Sequence, residues 1–150
     1  MLQDQLMAEM KTAMKAKDQV RLTVLRAVKA EILKAKTSAD FSGEISEKEE
    51  VTILTRMLKQ RKDAAEIYKS QNRADLCDEE LKQADILMEY LPKQLDASEL
   101  ESEIRAIVGQ VQATGPKDMG KVMGLASKQL AGKAEGKAVA AMVKTVLSAL

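Results

Sequence analysis

An all-helical fold, an N-terminal bundle of about four helices (residues 1–92) followed by a small three-helix subdomain (93–150), is predicted by three features of the 150-residue sequence. Ala, Leu, Lys, Glu and Met dominate while aromatics are confined to Phe41, Tyr68 and Tyr90, which is the composition of helices rather than of pleated sheets. Apolar residues recur at steps of three and four in seven successive segments, the spacing that returns to one side of a helix. Loop chemistry divides those segments. The 45% apolar content is enough for a packed core.

Leu2, Leu6, Met10 and Met14 predict a first amphipathic helix over about residues 2–17. A second, about 18–36, carries Leu22, Leu25, Val28 and Ile32, broadened by Val24, Ala27 and Ala35, and is expected to touch two neighbours. Residues 37–45 break the period and predict a loop. Ser46 and Glu49 have capping-box spacing and open a long third helix to about Gln71. Its two apolar lines, Val51/Leu54/Leu58/Ala65/Tyr68 and Ile53/Met57/Ala64/Ile67, predict a central place in the bundle. Asn72, which tolerates a left-handed conformation, is the expected stop. The fourth helix, about 73–91, repeats Cys77, Leu81, Ala84, Met88 and Leu91, so Cys77 reads as a small buried hydrophobe. Pro92 ends it, and residues 92–95 are a candidate hinge.

Asp96 and Glu99 repeat the capping-box spacing before a fifth helix with Leu100, Ile104, Ile107 and Val111, stopped by Gly115 and Pro116. A sixth helix from about Asp118 carries Met119, Val122, Met123, Ala126 and Leu130. Residues 131–136 form a turn, and Val139, Met142, Val143, Val146 and Leu150 define a seventh helix with Lys137 and Lys144 opposite.

The sixth helix is the least ordinary. Gly120, Gly124, Ser127 and Ala131 project roughly 110° from Met119, and Lys117, Lys121 and Lys128 follow at roughly 160–200°. Each mid-helix glycine costs up to about 1 kcal/mol relative to alanine, so two of them one turn apart suggest close approach to the backbone. Either a neighbouring helix packs there, or an RNA backbone lies on the strip with lysines at its edge. Lys133, in the following turn, extends that edge. A secondary basic face carries Arg26, Lys29 and Lys36 within about 80° of arc on the second helix, where solvation is the ordinary explanation.

Net charge is only +1, but its distribution is uneven: residues 1–37 carry eight Lys or Arg against four acids, 38–95 nine against thirteen, and 115–150 six against two. Both ends are basic, which favours a polyanion there. The lone Cys77 has no intramolecular disulfide partner. The N-terminus lacks the pattern of a signal peptide and no apolar run approaches the roughly 20 residues of a membrane span, so a cytoplasmic location without membrane association is expected.

The chain has no histidine, no cysteine cluster and no Gly-rich loop after a strand. A His-dependent triad is excluded, and no catalytic residue, metal site or cofactor is expected. The acidic runs Glu47, Glu49, Glu50 and Asp78, Glu79, Glu80 lie near helix starts, where the dipole accounts for them.

The stretches KQRKDAAEIY (59–68), NRADL (72–76), EYLPKQL (89–95), DMGKVMG (118–124) and AGKAEGKAV (131–139) resemble the YqeY-like proteins over nearly the whole chain. Asn72 departs from the glycine such sequences often carry. The C-terminal part of that family is similar to the tail of GatB, the B subunit of tRNA-dependent amidotransferase. The resemblance implies an all-helical, two-part protein and tRNA association of the tail. It implies no catalysis, because nothing here resembles the ATP- and metal-binding cradle of the GatB body. A carbon–nitrogen ligase description with glutamine as amide donor would attach through the shared tail alone.

The expected function is a tRNA-associated binding module that recognises RNA backbone or shape through Lys117, Gly120, Lys121, Gly124, Lys128 and Lys133. Scarce aromatics leave little for base stacking. The alternative is a protein adaptor for an amidotransferase subunit or aminoacyl-tRNA synthetase, with the glycine strip receiving a partner helix.

Overall fold

Helix boundaries follow local capping chemistry. In the computed structural model, which describes residues 1–38 and 43–150, Ser46 Oγ accepts the Glu49 amide at 3.1 Å while the Ser46 amide donates to Glu49 Oε2 at 2.7 Å. Asp96 and Glu99 exchange the same pair at 2.8 and 3.0 Å. Both predicted capping boxes are therefore closed, satisfying amides that the helix itself leaves unpaired. The described residues form α1 (Leu2–Lys15), α2 (Gln19–Lys36), α3 (Glu47–Ser70), α4 (Ala74–Glu89), α5 (Ala97–Val111), α6 (Met119–Gln129) and α7 (Gly136–Ser148). A single 3-10 turn at Pro116–Asp118 leads into α6, and no strand is present among the described residues. Positions 39–42 of the expected loop lie outside them.

Three helices end on a left-handed residue that is not glycine: Lys17, Asn72 and Gln112, with φ of 57, 57 and 54°. At each, the next amide reaches back five residues to a carbonyl, Asp18 to Ala13, Arg73 to Tyr68 and Ala113 to Val108, at 2.9 to 3.0 Å. Asn72 takes the expected role. The stop of α5 is Gln112, upstream of the Gly115–Pro116 pair.

The chain divides into two compact units, Met1–Leu91 and Pro92–Leu150. In the first, α2 packs against α1, α3 and α4. The central place expected for α3 thus belongs to α2, whose Leu25 and Val28 are fully enclosed. Leu22, Val24, Ile32, Leu54, Leu58 and Leu87 complete much of that core. In the second unit Ile104, Ile107, Val122, Ala126, Val143 and Val146 pack where α5, α6 and α7 meet.

The buried faces differ from the predicted stripes at four places. A step of four residues drifts by roughly 40°, so Met14 lies roughly 120° from Leu2 and is exposed, whereas Ala13, roughly 20° away, is buried. Ile67, in the last turn of α3, is exposed although it lies roughly 40° from the buried Ile53. On α4 the buried face is turned roughly 60° toward Leu87, leaving Leu81 exposed and Cys77 only half-buried. Leu150 lies beyond the end of α7 and is exposed, and Leu147 takes the buried place.

Polar ties between helices were not legible in the sequence. Glu50, 5% exposed, accepts the Leu2 and Gln3 amides at 2.8 and 3.1 Å, so a carboxylate of α3 caps the N-terminus of α1. Arg21 joins Glu89 at 2.6 Å and the Tyr90 hydroxyl at 2.9 Å, and that hydroxyl donates to Glu9 at 3.0 Å. The guanidinium lies 5.9 Å from the Tyr90 ring centre. Arg61 and Glu80 pair at 3.1 Å between α3 and α4. Among the described residues no helix is long and apolar enough to cross a membrane.

Candidate nucleic-acid interface

The turn before α6 is fixed locally. Asp118 Oδ2 accepts the Thr114 amide at 2.8 Å and its hydroxyl at 3.3 Å, and the Asp118 amide donates to Gly115 at 3.0 Å. Pro116 occupies the first position of the 3-10 turn, where a missing amide is harmless. From this start α6 buries Val122 and Ala126 completely and Leu130 nearly so, with Met119 and Met123 half-buried. That side is the predicted apolar stripe.

The opposite side is open. Gly120, Gly124, Ser127 and Ala131 are exposed, and so are Lys117, Lys121, Lys128 and Lys133. A Cβ built on Gly120 or Gly124 meets nothing within 4 Å. The expectation that a neighbouring helix of this chain packs on the glycines therefore does not hold. The two glycines lower helix stability without returning a packing contact.

The lysine edge is anchored at both ends. Lys117 lies in the 3-10 turn held by Thr114 and Asp118. Lys133 sits in the α6–α7 turn, whose Gly132 has φ of 76°, a left-handed geometry suited to glycine. Gln94 Nε2 donates to the Gly132 carbonyl at 2.6 Å, and the Leu95 amide to the Lys133 carbonyl at 2.9 Å. Residues 92–95 are thus tied into the second unit.

None of these four lysines takes part in an ion pair among the described residues. A carboxylate close to the near end of the edge is Asp118. Donation from the Thr114 amide, then its hydroxyl, with Lys121 and Lys117 adding attraction, holds Asp118 below the usual carboxylate range. It stays anionic and subtracts one charge from that end.

Arg26, Lys29 and Lys36 belong to α2, in the first unit, where Arg26 and Lys29 are exposed and Lys36 closes the helix. Among the described residues no group of three or more His, Cys, Asp or Glu side chains is placed to hold a metal ion. The polar clusters that sequence reasoning missed, around Arg21 and Glu50, join residues up to 81 positions apart, and no local periodicity signals them.

A family model described as Yqey-like protein matches residues 3–147, and the chain belongs to the YqeY-like protein family. None of the curated proteins matches it.

Proposed function

We propose that the second unit is a tRNA-associated binding module that grips the RNA backbone with Lys117, Lys121, Lys128 and Lys133 and performs no catalysis of its own. The observation that carries this reading is the open strip over Gly120 and Gly124, uncovered by any helix and bordered by exposed lysines without ion pairs among the described residues. An extended polyanion can approach such a backbone closely while its phosphates meet the ammonium groups. The similarity of the family's C-terminal part to the GatB tail supports tRNA as the ligand. With only Phe41, Tyr68 and Tyr90 in the chain, stacking on single-stranded bases contributes little, so phosphate and 2′-hydroxyl contacts carry the binding.

Fluorescence anisotropy with labelled tRNA at a series of salt concentrations tests this. Affinity is expected to fall steeply with salt, and Lys121→Glu combined with Lys128→Glu to weaken binding and reduce the logarithmic salt slope by about 2. Unchanged affinity and slope in that variant would remove the site assignment. The open strip equally accepts a helix of another protein. A protein still retained after nuclease treatment of a lysate, and lost with Gly120→Leu, would favour an adaptor for an amidotransferase subunit or synthetase.

A further inference from the structure

The first 37 residues hold eight basic side chains and four acids, and the acids are all engaged within their own unit. Asp4 lies 3.7 Å from the terminal ammonium, Glu9 accepts the Tyr90 hydroxyl, Asp18 caps α2 at the Arg21 amide, and Glu31 pairs with Arg56 at 3.0 Å. Among the cations Arg21 alone is paired, with Asp18 and Glu89. The other seven form no ion pair among the described residues. A modest sequence excess thus becomes an uncompensated basic surface.

That surface is also apolar. Met7, Lys11 and Met14 share one side of α1 at steps of four and three, and Arg26, Lys29 and Leu33 share one side of α2 at steps of three and four. Lys29 Nζ lies 3.8 Å from Met7 Sδ, so the two stripes are contiguous. Met7 is 64% exposed, Met14 54% and Leu33 59%. A phosphate backbone would use the three cations and leave three large apolar side chains in water. A partner with carboxylates beside an apolar stripe would use all six.

We propose that this α1–α2 face docks an acidic amphipathic helix of a partner protein. Met7, Met14 and Leu33 receive its apolar stripe, and Lys11, Arg26 and Lys29 meet its carboxylates. Methionine suits the task because its unbranched thioether adapts to an irregular apolar surface. The site lies in the first unit and is independent of the RNA reading of the second.

The full-length protein is titrated against a fluorescent model helix of roughly 18 residues, about five turns, with leucines on one face and glutamates on the other. Controls are a shuffled peptide of the same composition, vesicles containing anionic phospholipid, and duplex RNA. Saturable binding to the acidic helix, about tenfold tighter than to the shuffled peptide, is expected. Lys11→Glu with Lys29→Glu, and separately Met7→Gln with Met14→Gln, each weaken it about tenfold with unchanged circular dichroism, since all four side chains are exposed. Equal binding of the shuffled peptide, or indifference to both variants, overturns the proposal. So does preferential binding of the vesicles or the RNA that the same variants abolish.

Discussion

The two units differ in what their charged side chains join. In Met1–Leu91, charged groups link one helix to another: Glu50 of α3 caps α1, Arg21 of α2 reaches Glu89 and Tyr90 at the end of α4, and Arg61 joins Glu80. In Pro92–Leu150, Arg105 pairs with Glu101 one turn away and Lys93 with Glu99 near the start of α5, and Lys121 and Lys128 of α6 form no ion pair among the described residues. A three-helix core of Ile, Val and Leu leaves its surface charges available to a ligand. Cations drawn into interhelical pairs specify how helices fit together, and those left exposed are the ones a partner can use.

The contrast can be broken most forcefully at the cores. Ile104→Ala, at a fully enclosed side chain, should cost about 3 to 4 kcal/mol and lower the melting temperature reported by residues of the second unit. Next comes Glu50→Ala, which strands two α1 amides and should cost about 2 kcal/mol, read by urea denaturation and by faster amide exchange at Leu2 and Gln3. No charge removal on the second unit's surface should approach that figure; Arg105→Ala is expected to stay within about 0.5 kcal/mol.

Tyr90→Phe should cost about 1 kcal/mol by deleting the hydroxyl shared by Arg21 and Glu9. Tyr90 also supplies a pH signature. Burial raises its pKa above the ordinary 10.0, with Arg21 opposing and Glu9 assisting. A raised folded-state pKa favours the protonated form. This contribution is therefore intact below about pH 10 and is lost as pH rises through the folded value. Ultraviolet titration of a Tyr68→Phe background should place the Tyr90 midpoint above that of free tyrosine, and Arg21→Gln should raise it further.

A change of opposite sign sharpens the comparison from the backbone. Gln112→Gly relieves a left-handed residue and should stabilise the second unit by up to about 1 kcal/mol, whereas Asn72→Gly should change the first by less, because asparagine already tolerates that geometry. Thermal unfolding of the two variants reads both.

Much of the helix pattern was legible because it depends on neighbours within four residues. The boxes at Ser46–Glu49 and Asp96–Glu99, the turn at Asn72 and the stripe of α6 each arise from such local chemistry. The face each helix buries was legible only where steps of three and four alternate. Where fours accumulate, as at Met14, or where two apolar faces compete, as at Leu81 and Leu87, packing against other helices made the choice.

The lysine and glycine strips of α6 were present in the sequence as positions on a wheel. Their meaning was not, because a glycine pair one turn apart serves a packed helix as readily as an open surface. By itself the sequence determined the fold class, the ends of most helices and the family, all of which rest on local spacing or on motifs read in order. Tertiary structure alone decided that Gly120 and Gly124 face open space, that Glu50 caps a distant helix and that Arg21 meets Glu89 and Tyr90. Such contacts depend on which faces of separate helices meet, and that is settled by how the whole core packs.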